Sequence, residues 1–482
     1  MEQFLTIVAL IGLVIVAASL MSGALDRSGV PVVAVFLLLG AAVGPWGLGV
    51  VDVGFRSAGL HALATLGLAL MLFSDAVTLE RTEFRRRRAL VWRLLLPGTL
   101  APAIITGVAG WALLGFSLPL AAILGAAASS TDPVLLRGML RSPALPETPR
   151  VALRIETGVN DVVLLPIVVV AILVVRATTV EGASGVEGLP RALVGLLLLG
   201  PALGAVVGWA GISLLKQVRS RSGVRRDYES LYALGLAFTA YAAAESVGGS
   251  GFVAAFAAGL LVAGQDDELC DCFLEYGEAT AEMLLLLTFV ALGASLIWSG
   301  LAIADWRALA FVAVALLARP AALFPILARA GVRGRDRRLI ALHGPRGLGT
   351  LLLALLPVFA GVPGAERVFA VASLVVLISI VLHGGAIAAF VRAHAAPVAS
   401  PSPASSEAAP LPTIPSTITL DELAALRAHD KDIVIVDVRT ERSMQGDPRT
   451  ASGAVRVDPD HPVADATAKR LSQHATLVLY CA

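Results

Sequence analysis

Two groups of acidic and hydroxyl side chains lie inside long apolar segments of this chain. One runs from Ser130 to Pro133 (Ser-Thr-Asp-Pro) and the other from Glu156 to Asp161 (Glu-Thr-Gly-Val-Asn-Asp). A charged side chain at the centre of a membrane helix costs about 2.5–3.5 kcal/mol, so a carboxylate kept there indicates the handling of a cation or proton. Pro133 also interrupts its helix and frees backbone carbonyls that can coordinate an ion. The two groups therefore predict an ion site within the membrane.

Composition places the chain among integral membrane proteins. Its 482 residues are 57% hydrophobic and 15% charged, and the mean hydropathy is +0.82. Soluble domains average about 25% charged residues, so a soluble protein is excluded. The net charge of +1 gives no reason to expect a nucleic-acid partner. The three cysteines, Cys270, Cys272 and Cys481, are too few for a disulfide framework.

The apolar segments predict about thirteen transmembrane helices, since about 20 residues cross a bilayer as helix. The predicted spans are 3–22, 29–48, 58–77, 89–115, 118–141, 150–176, 190–215, 229–246, 250–264, 278–297, 304–328, 339–361 and 367–392. Met1 to Gln3 carry no basic residue, so we expect the first span to stay as a helix rather than to be cleaved as a signal.

Basic residues indicate the orientation of these helices. They crowd the connections after spans 3, 5, 7 and 11, as in Arg85 to Arg88 and Arg333 to Arg338. The positive-inside rule then places the N-terminus outside and the C-terminus in the cytoplasm. We expect a multi-pass protein of the cell inner (plasma) membrane.

The composition changes after residue 393 and predicts three domains. Residues 1–393 form the membrane domain, and 394–416 form a linker rich in Pro, Ala and Ser. Residues 417–482 look soluble, with a helical pattern from Leu420 to His429 and strands at Ile433–Val436 and Thr476–Tyr480. This pattern predicts a small α/β unit.

Residues 1–393 resemble the monovalent cation/proton antiporter family, specifically the NhaP-type sodium/proton exchangers. Five short motifs in order carry the resemblance: Thr131–Pro133, Glu156–Asp161, Gly249–Phe252, Arg319-Pro320 and Gly344–Gly347. It implies an all-α polytopic fold with inverted repeats, in which two interrupted helices, spans 5 and 12, cross at the midplane. It also implies a homodimer.

The resemblance implies a cation-binding role for five residues. Asp161 is the central carboxylate, which binds the cation and protons alternately, and Asp132 contributes directly or through water. The Thr131 carbonyl, the Thr157 hydroxyl and the tentative ligand Asp75 add oxygens of the kind that hard cations prefer. Alternatively, either threonine bonds back to its own helix, or Asp75 is a solvated carboxylate near a helix end.

Supporting roles follow from the same resemblance. Asn160 stands where electrogenic relatives carry a second aspartate, and because an amide cannot titrate, it is associated with electroneutral exchange. Glu156 is expected to pair with Arg319 and to brace spans 6 and 11. Arg346 is expected to offset the negative end of a half-helix, with a snorkelling interfacial arginine as the alternative.

The tail resembles the N-terminal portion of the rhodanese family. Asp437-Val438-Arg439, the turn at Ser452 to Ala454 and the strand leading into Cys481 carry this resemblance. In that family the cysteine accepts sulfane sulfur. The chain ends one residue after Cys481, so sulfurtransferase activity is doubtful and the sequence is interpreted as a possible fragment.

Together these observations predict a secondary transporter, not an enzyme. It would exchange Na⁺, or K⁺ or Li⁺, for H⁺ by alternating access, in pH and sodium homeostasis. The main alternative is a K⁺/H⁺ antiporter; a membrane-anchored sulfurtransferase ranks far lower, because an anchor needs one span. A third hypothesis makes the tail a regulatory module. No cofactor or structural metal is expected, because Cys270 and Cys272 fall short of a zinc ligand set.

Overall fold

The computed structural model describes most of the membrane domain and parts of the tail. The described residues are 12, 14–16, 19–20, 31–79, 87–142, 144–179, 188–265, 269, 273, 278–393, 423, 433–439, 449–457, 465–467, 469, 471 and 475–480. The chain divides into two compact units, Met1–Val398 and Ala399–Ala482. The first is helical, and the second contains a small sheet.

The helices of the first unit agree closely with the apolar segments. Those before residue 200 are α1 (Val32–Val43), α2 (Ala58–Val77), α3 (Arg88–Leu95), α4 (Pro97–Leu114), α5 (Leu118–Ala127), α6 (Pro133–Arg141), α7 (Glu147–Thr179) and α8 (Gly188–Val194), which a π-helical turn (Gly195–Leu199) continues. The later ones are α9 (Gly200–Ser222), α10 (Arg226–Ser246), α11 (Gly251–Gln265), α12 (Glu278–Ala294), α13 (Ser299–Ala302), α14 (Trp306–Arg329), α15 (Gly334–Leu342), α16 (Leu348–Phe359) and α17 (Ala365–Ala393).

Within the described residues, six helices are long and apolar enough to cross a membrane, or seven if one bent pair is counted as a span. The bent pair joins Thr280–Ala294 to Leu296–Ala302 at an angle of 56°. Each predicted span from 29–48 onward overlaps one helix or a run of broken helices, but some of these, such as Val32–Val43 and Gly251–Gln265, are short, so the count of thirteen spans stays a prediction. Most of the predicted first span, 3–22, lies outside the described residues, as do all of 394–416 and, except for residue 423, the Leu420–His429 helix.

The helices pack as two bundles. In one, α11 packs against α2, α9 and α10, while α12 packs against α1 and α2. Small residues allow close approach there, since a Cβ added to Gly40 would lie 2.3 Å from the Val290 carbonyl oxygen. In the other bundle, α4 packs against α5 and α14, and α16 packs against α5 and α17. The two bundles meet where α2 contacts α7 and α16, and where Arg137 on α6 forms an ion pair with Glu282 on α12.

Two interruptions break the second bundle at the positions where the sequence predicts them. The first lies between α5 and α6, where Pro133 occupies the first turn of α6 and Asp132 precedes it as the N-cap. The second lies between α15 and α16, and it contains Pro345 and Gly347. The breaks touch, because the Asp132 N–H donates to the Pro345 carbonyl at 2.9 Å. The two breaks therefore lie against each other, as a crossing of spans 5 and 12 requires, while the crossing at the midplane and the inverted repeat stay predictions.

The described part of the second unit contains a three-stranded parallel sheet. Strands β1 (Ile433–Asp437), β2 (Val455–Arg456) and β3 (Thr476–Tyr480) are arranged in the order β2-β1-β3. Asp437, the last residue of β1, is opposite Tyr480 of β3 and Arg456 of β2. Parallel neighbours require crossover connections, as expected for a small α/β unit.

Candidate functional site

Asp132 connects the N-termini of two half-helices. Its Oδ1 accepts from the backbone N–H groups of Val134, at 2.7 Å, and Leu135, at 3.2 Å, at the start of α6. Its Oδ2 accepts from the N–H of Leu348, at 2.7 Å, at the start of α16. A helix N-terminus carries unsatisfied donors and a partial positive charge, so one buried carboxylate offsets both ends. Only its remaining lone pairs are left for an ion.

Arg346 offsets the negative, C-terminal end of α5, next to the break that Asp132 caps. Its side chain is buried and its Nη1 donates to the carbonyls of Ser129, at 2.5 Å, and Ser130, at 3.1 Å, just after α5 ends. The snorkelling alternative is therefore excluded. The half-helix that Arg346 serves is α5 of span 5, whereas the sequence suggested a half-helix of span 12. Its backbone N–H donates to Ser379 Oγ at 2.7 Å, which ties the break to α17.

Asp161 has a different environment from Asp132. It lies on α7 with 1% of its surface exposed, and neither carboxylate oxygen has a hydrogen-bond partner among the described residues. A methyl group placed on Gly349 of α16 would come within 2.7 Å of Asp161 Oδ2. The carboxylate therefore faces the first turn of a half-helix. A buried carboxylate without partners is costly unless a proton or a cation neutralises it.

Asn160 and Thr131 contact each other across the two elements. Asn160 Nδ2 donates to Thr131 Oγ1 at 2.6 Å, and both residues are buried. The amide oxygen of Asn160 has no partner among the described residues. Asn160, the residue before Asp161 on α7, thus holds the unwound segment of span 5 against α7. A neutral oxygen remains available there.

The structure places the two remaining predicted ligands near the same helix. Thr157 Oγ1 donates to the carbonyls of Leu153, at 2.9 Å, and Arg154, at 3.2 Å, so its hydroxyl bonds back to α7 and offers an ion only its lone pairs. Asp75 lies near the end of α2 and is buried, and its Oδ2 has no partner among the described residues. A Cβ on Gly158 would lie 3.7 Å from Asp75 Cβ, so the carboxyl group is beside α7 and is not a solvated helix-end residue.

Glu156 and Arg319 form a buried, bidentate ion pair. Arg319 Nε donates to Oε1 at 2.8 Å and Nη2 to Oε2 at 2.7 Å. Nη1 donates to the carbonyls of Ile340 and Ala341, both at 2.7 Å, near the end of α15. This pair links α7, α14 and α15, which is the bracing geometry expected from the sequence. Because the two charges neutralise each other, this ion pair is not expected to exchange protons or cations.

Ser130 was absent from the predicted site residues. Its hydroxyl is buried and has no partner among the described residues, and it lies 2.4 Å from the position of a Cβ on Gly349. The sequence signal was present, because Ser130 begins the first polar group. Its direction depends on how the broken helix leaves α5, which residue spacing does not specify.

A structural metal centre is not found in the part of the chain that the structure describes, where no group of three or more His, Cys, Asp or Glu side chains could hold one. Cys270, Cys272 and Cys481 lie outside the described residues. Among the described histidines, His61 stacks near Phe359, with ring centroids 4.4 Å apart, His343 Nδ1 is 2.9 Å from the Leu339 carbonyl, and His383 Nδ1 is 3.0 Å from Ser379 Oγ. Among the described residues, the site is a set of buried oxygens around Asp161, whose two carboxylate oxygens have no partner, and Asp75 Oδ2 is a further oxygen without one.

Comparison with known proteins identifies the class to which this fold and site belong. The family model described as "Sodium/hydrogen exchanger, transmembrane" matches residues 12–393. The chain belongs to this family, which is a family of multi-pass membrane transporters and not of enzymes. The match ends at residue 393, before the second compact unit, which begins at Ala399.

Individual relatives agree with this assignment. The chain is 29% identical over 394 residues to the K(+)/H(+) antiporter NhaP2 of Shewanella sp. (strain ANA-3), and 28% identical over 392 residues to the K(+)/H(+) antiporter NhaP of Alkalimonas amylolytica. Each match covers 80% of this chain but only 66% of the relative, slightly under two thirds of its length.

The fold also resembles a solved structure. The sodium proton antiporter MjNhaP1 from Methanocaldococcus jannaschii matches with a TM-score of 0.63 and 22% sequence identity, over 81% of this chain and 99% of that one. At this identity the likeness establishes the fold: a mostly helical, multi-span membrane protein.

Proposed function

We propose that this protein exchanges a monovalent cation for protons across the cell membrane by alternating access. The observation that carries the proposal is Asp161, whose two buried oxygens have no partner among the described residues and which lies beside the first turn of α16. A proton on this carboxylate must leave before a cation can bind, and the departing cation must be replaced by a proton. Competition for the same oxygens couples the two movements.

Asp132, Arg346 and the ion pair of Glu156 with Arg319 have supporting roles in this proposal. Each already has partners that match its charge, so none needs to change protonation during the cycle. They hold the half-helices and the unwound segments in place around Asp161. Thr131, Thr157, Asp75 and the remaining lone pairs of Asp132 supply the further oxygens of the cation shell, and Asn160 supports it.

The cation is sodium or another alkali ion, and potassium is the second candidate. The names of the relatives in Shewanella and Alkalimonas favour potassium, whereas that of the structural neighbour favours sodium. All of these ions suit a site of carboxylate, amide and hydroxyl oxygens, so side-chain type alone does not separate them.

The exchange is electroneutral, with one cation for one proton. Asn160 supports this stoichiometry, because its amide donates to Thr131 and cannot titrate, which leaves Asp161 as the single exchanging charge of the pair. The basic connections support a cytoplasmic C-terminus and an external N-terminus. Family resemblance supports a homodimer in the plasma membrane.

For the tail we keep the rhodanese-like interpretation as part of the proposal. The parallel sheet and the buried contact between Asp437 and Arg439 are compatible with a small α/β unit. Cys481 lies outside the described residues, so a sulfur-transfer role has no geometric support.

A proteoliposome assay tests the proposal. Gradients of Na⁺, K⁺ and Li⁺ are imposed at several pH values, and the internal pH is followed. We expect cation-driven alkalinisation or acidification with the wild-type protein and none with Asp161→Asn. Asp305→Asn is the matched control, because Asp305 is an exposed N-cap of α14 and asparagine also caps helices. Exchange retained by Asp161→Asn would overturn the proposal.

A further inference from the structure

The Ser130 hydroxyl is buried beside the Asp161 carboxylate. The Ser130 carbonyl accepts from Arg346 Nη1 at 3.1 Å and from Thr350 Oγ1 at 3.3 Å, so the backbone at this residue is fixed. Ser130 as a whole residue is 1% exposed, and its Oγ has no hydrogen-bond partner within the described part of the chain. Ser130 lies in the unwound segment after α5, outside any helix, and a buried side-chain hydroxyl normally has a hydrogen-bond partner. A hydroxyl left unpaired needs another explanation, such as a ligand.

Gly349 keeps open the space into which this hydroxyl projects. A methyl group there would lie 2.4 Å from Ser130 Oγ, 2.7 Å from Asp161 Oδ2 and 3.4 Å from Met71 Cε. Gly349 has no left-handed backbone conformation that would require glycine, and it lies inside α16, where glycine is less favourable than alanine by about 0.5–1 kcal/mol. Glycine at this position therefore keeps open the space between Ser130 Oγ and Asp161 Oδ2.

We propose that Ser130 Oγ is a ligand of the transported cation and that Gly349 sets the largest cation that fits against Asp161. This inference rests on the proposed cation/proton exchange and adds the determinants of its ion selectivity. The cation lies between the hydroxyl of the broken span 5 and the carboxylate of α7. The first turn of α16 forms the wall opposite them.

The two residues affect ions of different size in opposite ways. A smaller cation is more strongly hydrated and depends more on each oxygen that replaces water. Ser130→Ala removes one oxygen and should weaken Li⁺ and Na⁺ more than K⁺ and Rb⁺. Gly349→Ala adds a methyl group to the space and should weaken K⁺ and Rb⁺ more than Li⁺ and Na⁺.

The experiment measures the half-saturating concentrations of Li⁺, Na⁺, K⁺ and Rb⁺ for proton exchange in proteoliposomes. For Ser130→Ala we expect a rise of roughly tenfold for the smaller ions, the size expected for a lost contact to a charged group. Ser373→Ala is the matched control, because this serine of α17 also has a buried hydroxyl without a partner in the described residues. Gly235→Ala is the control for Gly349→Ala, because a methyl at Gly235 meets nothing within 4 Å.

The measured quantity is the half-saturating concentration of K⁺ or Rb⁺ divided by that of Li⁺ or Na⁺. A fall of this ratio in Ser130→Ala and a rise in Gly349→Ala, with no change in either control, would establish the inference. Unchanged ratios in Ser130→Ala and Gly349→Ala, with exchange still abolished by Asp161→Asn, would overturn it and leave the proposed function standing. If Gly349→Ala does not fold, Ser130→Ala decides alone: no change in its ratio overturns the inference. A wild-type protein without cation-driven exchange would overturn both proposals.

Discussion

The carboxylate of Asp132 joins the two interrupted helices, because its Oδ2 accepts a hydrogen bond from the backbone N–H of Leu348 at 2.7 Å. The other oxygen caps α6, so both are used within the protein. Asp161 lies in the same buried region with both oxygens free of partners among the described residues. Two aspartates of similar burial thus have different tasks, one in structure and one in exchange.

We expect stability measurements to separate these two tasks. Asp132→Asn replaces one acceptor oxygen by an NH₂ group that faces an N–H donor, so it should cost about 1–3 kcal/mol and lower the melting temperature. Asp161→Asn removes no close hydrogen bond among the described residues and should leave the melting temperature unchanged or raise it. Thermal unfolding of the detergent-solubilised protein measures both. Equal destabilisation by the two variants would contradict the division of roles.

The pair of Glu156 and Arg319 should be sensitive to the loss of either partner. Glu156→Gln leaves a buried guanidinium unneutralised, and breaking a buried pair costs about 3–5 kcal/mol. Glu147→Gln is the control, since Glu147 pairs with Arg87 while 66% exposed, and exposed pairs contribute about 0–1 kcal/mol. Expression level and thermal unfolding report the effect. Normal folding and full transport in both Glu156→Gln and Arg319→Gln would show that the pair does not brace the helices.

Electroneutral exchange predicts that turnover does not respond to an imposed membrane potential. Asn160 donates to Thr131 at 2.6 Å and carries no charge, so the cycle moves one positive charge each way. A potential set by a gradient of the permeant anion thiocyanate in sodium-loaded proteoliposomes tests this point without a second candidate cation, with Asn160→Asp as the comparison that adds a second titratable group. Marked voltage dependence of the wild-type protein would contradict the role given to Asn160.

The tail makes a separate prediction about pH. Hydrogen bonds from the Arg439 side chain are the main reason that the pKa of Asp437 lies well below its usual range, and the Tyr480 hydroxyl adds a further one at 2.8 Å. A lowered pKa in the folded state stabilises the fold above the unfolded value of about 3.9, and this contribution is lost as the pH falls below it. Asp437→Asn should remove it.

Hydrogen exchange of the β1 amides in the full chain measures this contribution. At pH 7 the wild-type strand should be better protected than that of Asp437→Asn, and the difference should shrink as the pH falls toward about 3. A difference that stays constant over this range would rule out ionised Asp437 as its source.

Local features of the sequence predicted where the helices and the two breaks lie, but not thirteen full spans, since six or seven of the described helices are long and apolar enough to cross a membrane. Apolar length defines a membrane helix, and Pro133 and Pro345 mark the interruptions. The bend after Ala294 and the π-helical turn at Gly195–Leu199 had no such signal. Both depend on packing against other helices.

The site was predictable as a set of residues but not as a set of contacts. Spacing placed Asp161 and Asp132 in the membrane, yet it did not show that one is unpaired while the other caps two helices. The carbonyls that accept from Arg346 lie more than 200 positions away along the chain, and only the tertiary fold brings them together. The direction of the Ser130 hydroxyl depends in the same way on the unwound backbone.

Proton release on cation binding tests the central claim most directly. Purified protein in a weak buffer is titrated with NaCl or KCl, with choline chloride as the ionic-strength control, and the pH change is recorded. The account predicts that cation addition to the wild-type protein releases protons, up to one per protein chain, and that Asp161→Asn releases none. Equal proton release from the wild-type protein and from Asp161→Asn would show that cation and proton do not compete for this carboxylate.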